Sequence, residues 1–302
     1  MPRVLKNCFF GALAVCVALP SVVAGTATTT AEREADVLIV QRRNKMLVED
    51  LSDIVSRCDD FYAEMKDLSE NEVSRRAADL AERFETLLVR FPDSVPVLFF
   101  FAEFLRAGGE NERAEALLLK AESLDENFAP AQFVLAEILA ERGAAEEACL
   151  RFRRGISETS DAESVAIYGE FLCDNREALL AKKCFKNRAE LERSMQDAFR
   201  RAAIFSDNNP DFYWRYAESF YDVEEPDWCV ALRVWEIVGD LPSVKKDSVR
   251  LVAVAIHRAR VLAELGRIDE ADELLRENVG VPALERSRRQ VFEIIRQKRA
   301  GK

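Results

Sequence analysis

The sequence contains a single histidine, His257. Chemistry built on paired histidines, such as an HExxH zinc site, is thereby excluded, and a Ser-His-Asp relay would have to rest on that one imidazole. At helical spacing His257 falls beside an apolar face, where a helix-surface or partly buried histidine is the plain expectation. Five cysteines follow the first 24 residues: Cys58, Cys149, Cys173, Cys184 and Cys229. Their number is odd and no CxxC occurs, so zinc-ribbon spacing and a redox pair are both absent. An oxidising compartment would allow one disulfide and leave at least one thiol unpaired; buried, apolar thiols are the simpler expectation. Glu-Ser pairs at Glu122-Ser123, Glu163-Ser164 and Glu218-Ser219 place carboxylates beside hydroxyls, but so many glutamates produce such dipeptides without function. No GxxxxGK[ST], GxGxxG or GxSxG occurs, which removes the usual frames for binding phosphate and for a serine nucleophile. No catalytic residue, metal or cofactor is expected.

With chemistry so thinly supplied, the elements carry the information. The chain has 302 residues, 49% hydrophobic and 32% charged, ample for a folded core. Only 11 Gly and 9 Pro are present. Turns rich in those residues are therefore few, which argues against a barrel or sandwich of many short strands.

The first residues read as a leader. Arg3 and Lys6 precede an apolar stretch from Cys8 to Leu19, Pro20 ends it, and Val22 and Ala24 occupy the small-residue positions before a cut at Gly25. The apolar run is shorter than the roughly 20 residues that span a bilayer, so cleavage is favoured over a retained anchor. Val15 stands where a lipobox ahead of Cys16 would need a smaller residue. Removing residues 1–24 takes away two basic residues and no acidic ones, moving the formal charge from −11 to −13. That sign repels phosphate backbones, so no nucleic-acid partner is expected.

Apolar positions recur at helical spacing throughout the remainder. Residues 31–68 predict one long helix or a broken pair, and a second helix runs from about Glu72 to Arg90, stopping before Pro92. A self-match at a spacing of 34 follows. Phe101 falls on Leu135, Ala102 on Ala136, Leu105 on Leu139, Gly109 on Gly143, Ala114 on Ala148, Leu118 on Phe152 and Ala121 on Gly155. Small residues let two helices approach, bulky ones fill the groove between neighbours, and the glycine turns the chain at a helix end.

On these residues the segment 95–162 resembles the tetratricopeptide-repeat family, whose unit of 34 residues is a pair of antiparallel helices. The resemblance implies an all-α, right-handed helical solenoid. It extends weakly to residues 76–94, to Tyr216, Ala217, Phe220, Ala231 and Trp235, and to Ala259, Leu262, Gly266, Ala271 and Leu275. The expected division is a signal peptide over 1–24, an N-terminal helical segment over 25–70 and repeats over 71–162. An irregular helical insert over 163–205 follows, then degenerate repeats with a capping helix over 206–302. Leu284, Val291, Ile294 and Ile295 form the apolar stripe of that cap.

The family's ligand-facing positions, carried over residue by residue, fall on Phe99, Glu103 and Arg106, then on Phe133, Glu137 and Glu141. In the degenerate pair they fall on Trp214, Glu218 and Tyr221, then on Ile256, Arg260 and Glu264. The carboxylate-clamp version of the family has Lys and Asn there; here Phe and Glu stand instead. The resemblance thus implies an aromatic and acidic groove for a protein or peptide with basic and apolar side chains. Packing of Phe99 and Phe133 inside the array is the alternative. Membrane contact is left only to the basic C-terminal helix, which carries Arg286, Arg288, Arg289, Arg296, Lys298, Arg299 and Lys302. The function expected is an exported interaction scaffold in a cell-envelope complex. The alternative is an envelope glycan or peptide hydrolase whose carboxylates lie within 163–205.

Overall fold

The computed structural model describes residues 30–278 and 281–300, with side chains from residue 41 onward. The expected signal peptide lies outside the described residues. Among these, every regular element is helical, and the chain divides into two compact units, one through Glu158 and one from Thr159.

The first unit contains α1 (Thr30–Glu64), α2 (Glu70–Arg90), α3 (Val95–Ala107), α4 (Asn111–Leu124), α5 (Ala129–Glu141) and α6 (Ala145–Glu158). Ser69 caps α2 by accepting from the Glu72 amide, and the helix ends at Phe91, immediately before Pro92. The 34-residue spacing is the distance between the starts of α3 and α5. Ala102, Ala114, Ala121 and Ala148 are wholly buried, so the paired helices meet at their small residues. Aromatic side chains fill what remains: Phe84 stacks on Phe101 at 5.1 Å, and Phe133 meets Phe152 edge-on at 5.8 Å. Gly109 and Gly143 turn the chain with φ of +84° and +77°. In each turn the amide after the glycine reaches back over the helix end, Glu110 N to Leu105 O and Ala144 N to Leu139 O, both 2.9 Å.

The second unit contains α7 (Ala162–Asp174), α8 (Arg176–Ala181), α9 (Arg188–Phe205), α10 (Pro210–Glu218), α11 (Trp228–Asp240), α12 (Pro242–Lys245), α13 (Ser248–Glu264), α14 (Ile268–Glu277) and α15 (Glu285–Ala300). The residues without repeat phase, 163–205, form a helix pair of unusual length. The chain bends at Asn175 and continues as α8, then makes the same turn as the glycines, with Cys184 N donating to Leu179 O at 2.9 Å. Here Lys183 occupies the left-handed position, φ +59°, where Gly stands elsewhere. The starts of α7 and α10 are accordingly 48 residues apart, not 34. Gly266 repeats the turn once more, with Arg267 N on Leu262 O.

The last helix closes the second core by burying Val291 and Ile295. Five of its basic residues form ion pairs within the unit. Lys298 pairs with Glu264 at 2.7 Å, Arg299 with Asp269 and Asp272, Arg288 and Arg289 with Glu285, and Arg296 with Glu293. No helix among the described residues is long and apolar enough to cross a membrane.

Candidate protein-binding surface

The positions carried over from the family part company in the first unit. Phe99 and Phe133 are interior residues, 1% and 4% exposed, so neither presents a ring to a groove. The cause is the composition of α3 and α5. Both are apolar nearly all round, and a helix of that kind is covered on more than one side. Phe99 packs edge-on against Phe100 and Phe128, while Phe133 lies over Gly155, where a Cβ would come within 2.8 Å of its ring. The polar positions behave differently. Arg106 of α3 donates to Glu137 at 2.7 Å and to Glu141 at 2.8 Å, both on α5, and Glu103 is half-buried one turn earlier. Burial, with Cys58, Glu103 and Asp59 adding negative charge, pushes the Tyr62 hydroxyl well above its ordinary range. The first unit thus offers an acidic strip, but its aromatic half is core.

In the second unit the expected positions come together. Trp214, Glu218 and Tyr221 lie one turn apart along α10 and the 3-10 turn that ends it, half-buried rather than hidden. His257, Arg260 and Glu264 likewise stand about one turn apart on α13. The Trp214 indole donates to Glu218 Oε1 at 2.9 Å and stands edge-on to Trp235 and His257. Tyr221 Oη is 3.3 Å from His257 Nδ1, and the Arg260 guanidinium lies 4.0 Å above the Tyr221 ring. Trp228 meets Tyr221 at 5.9 Å. Ile256, also carried over, is buried at 3% exposure and belongs to the core. Burial, reinforced by the Arg260 charge, lowers the His257 pKa to about 4 from 6.5. At neutral pH the imidazole is therefore uncharged and serves as an aromatic surface.

Trp228 and His257 were not assigned to the groove by spacing. A signal was available for them: all three tryptophans of the chain fall between residues 214 and 235. Segment 163–205, where a hydrolytic site would have to lie, packs α7 against α9. Its carboxylate Glu170 is gripped through both oxygens by Arg215, which also holds Asp222. No cluster of His, Cys, Asp or Glu suited to a metal ion occurs among the described residues. None of the five cysteines there is bonded to another.

Paired helices joined by a recurrent left-handed turn, with no strand among the described residues, define an all-α helical-repeat protein. The fold is similar to that of solved tetratricopeptide-repeat structures. YrrB, described as a TPR protein with an unusual peptide-binding site, superposes with a TM-score of 0.53 at 16% identity. The match covers 70% of this chain and 99% of that one. The C-terminal part of a TPR repeat-containing protein from Cytophaga hutchinsonii gives 0.51 at 13% identity, covering 84% and 98%. No family model matches the sequence, and no curated protein matches it.

Proposed function

We propose that this chain is an exported scaffold that binds a protein or peptide partner on its repeat helices, within a complex of the cell envelope. The observation that carries the reading is the joined face of α10 and α13. Trp214, Tyr221, His257 and Arg260 form a half-buried aromatic-cationic surface there, flanked by Glu218 and Glu264. Trp, Tyr and Arg are the residues that most often dominate binding energy, because they offer large rigid area with a polar edge. The stack is set by intramolecular contacts, so little side-chain freedom remains to be lost on binding. Within the first unit, taken by itself, Glu103, Glu137 and Glu141 outnumber the Arg106 that pairs with two of them, which also suits a partner with basic and apolar side chains. Export rests on the Arg3, Lys6 and Cys8–Leu19 leader pattern.

Crosslinking pull-down from the native envelope fraction tests the reading, using the unaltered chain and a Glu218→Lys, Arg260→Glu variant shown by circular dichroism to be folded. A partner held by the first and lost from the second supports the face. Equal capture by both forms overturns it. Mass spectrometry of the protein recovered from the source checks export: an N-terminus at Gly25 is expected, and an intact Met1 leader on soluble cytoplasmic protein refutes it.

A further inference from the structure

Tyr221 ends the 3-10 turn after α10, Trp228 opens α11, and the link between them runs over residues 222–227. The glycine turns at 108–110 and 142–144 are only half as long. A longer link has more conformations to lose, and without outside contacts it would leave its flanking aromatics loosely placed. Residues 163–205 supply those contacts. Arg176, the first residue beyond the bend at Asn175, donates to the Asp222 carbonyl at 2.7 Å. Glu192 of α9 accepts from the Glu224 amide at 3.1 Å, and Arg188 reaches the Glu224 carboxylate at 3.0 Å. Glu192 is only 6% exposed, and its other oxygen faces the Arg176 guanidinium across 3.9 Å. A carboxylate buried to that depth is costly unless donors and positive charge accompany it. The link provides the donor and Arg176 the charge, so displacing the link strands Glu192.

We infer that Arg176 and Glu192 are positioning residues of the candidate binding face, and that holding the 222–227 link is the task of the segment that breaks the repeat. The bend at Asn175, which interrupts the 34-residue phase, is what carries Arg176 to the link. Tyr221 immediately precedes the gripped Asp222, and its ring meets Trp228 at 5.9 Å and His257 at 5.8 Å. Fixing Asp222 and Glu224 therefore fixes the spacing of Tyr221 and Trp228 before any partner arrives, so less freedom is lost on binding. This role rests on the scaffold reading of the face and names what keeps that surface in shape.

Acrylamide quenching of tryptophan fluorescence, on the full chain with no partner present, provides the test. All three tryptophans fall between residues 214 and 235 and Trp235 is fully buried, so the quenched signal belongs to Trp214 and Trp228. Arg176→Met is expected to raise the Stern–Volmer constant about twofold as the link opens locally, with helicity by circular dichroism unchanged. Arg176→Lys keeps a donor and the charge and is expected to restore most of the native value. Arg299→Met breaks the ion pairs to Asp269 and Asp272, away from the link, and is expected to leave quenching unchanged. Unchanged quenching in Arg176→Met, an equal rise in Arg299→Met, or no recovery in Arg176→Lys overturns the positioning role. Should Arg176→Met fail to fold, Arg188→Met, which releases the Glu224 carboxylate, must give a smaller rise, and no rise overturns the role. Increased quenching in Arg176→Met without any partner captured by the native chain refutes the scaffold reading alone. A captured partner with unchanged quenching refutes the positioning role alone.

Discussion

The indole of Trp235 lies parallel to the imidazole of His257, ring centroids 4.2 Å apart and planes 9° from each other. Trp235 is fully buried, so the one histidine of the chain is stacked on the floor of the second core while its edge meets Tyr221. The same two rings set the depth at which Trp214 and Tyr221 stand, and hence the relief of the candidate surface.

That stack makes stability depend on pH. The His257 pKa is about 4 in the folded chain, against 6.5 when unperturbed. Between these values the unfolded state binds more protons, so stability is complete above about pH 6.5 and falls as pH drops toward 4. The full loss from this group is roughly 3 kcal/mol, at about 1.4 kcal/mol per pH unit. Urea midpoints measured at pH 7.5 and pH 4.5 should fall further for the native chain than for His257→Phe. Identical falls would show that other groups govern acid sensitivity.

Gly155 and Gly169 are required by ring contacts. A Cβ on Gly155 would meet Phe133 at 2.8 Å, and one on Gly169 would meet Phe199 at 2.7 Å. Each glycine is mid-helix, where alanine is ordinarily favoured by up to about 1 kcal/mol. Overpacking reverses the sign: each Gly→Ala change is expected to cost about 1–3 kcal/mol in thermal or urea unfolding. A Phe133→Leu second substitution should recover part of the Gly155→Ala loss, and purely additive effects would contradict the contact.

Lys183 stands at a turn position that Gly109, Gly143 and Gly266 fill elsewhere. A side chain in the left-handed region costs about 1–2 kcal/mol. Lys183→Gly should therefore raise the melting temperature, with the gain reduced by the extra freedom glycine has when unfolded. Gly143→Ala should lower it by a similar amount.

Arg106 ties α3 to α5 through Glu137, whose side chain is 15% exposed. Arg106→Met is expected to cost about 1–3 kcal/mol, because it removes charge-assisted hydrogen bonds to Glu137 and Glu141 at a largely buried position. The Arg106→Met, Glu137→Gln pair should cost less than the sum of the single changes. A coupling energy of zero in the double-mutant cycle would remove the ion pair from the account.

Thiol accessibility separates the cysteines. Cys229 is exposed, whereas Cys58 and Cys149 are buried. Burial, with Asp59 adding to it, pushes the Cys58 thiol up to about 12. Maleimide labelling of the folded chain should modify Cys229 first and Cys58 only on unfolding. Early labelling of Cys58 would mean that its face of α1 is not packed into the first core.

The helical repeat was legible because it is written in local terms. Ala102, Ala114 and Ala121 mark close helix contacts, Gly109 and Gly143 mark turns, and both recur at a period that needs no knowledge of neighbours. The apolar stripe of the last helix was legible for the same reason, since Val291 and Ile295 lie one turn apart and both are buried. What periodicity cannot carry is which of a helix's faces is covered twice. Phe99 and Phe133 sit at positions that a lone helix pair would expose, but apolar helices in an array are covered from both sides, and both rings became core. In residues 163–205 the repeat phase is hidden by the bend at Asn175 and by a turn at Lys183 instead of glycine; only the backbone path reveals the shared turn.

The amino-acid sequence by itself determined the helix class, the 34-residue unit and the acidic balance, since each follows from residue types at fixed spacing. Tertiary structure alone decided that Trp214, Tyr221, His257 and Arg260 share one face and that Arg215 occupies Glu170 and Asp222. Those relations join α10 to α13 and to α7 across long separations in sequence, where side-chain packing and burial, rather than local preference, select the neighbour.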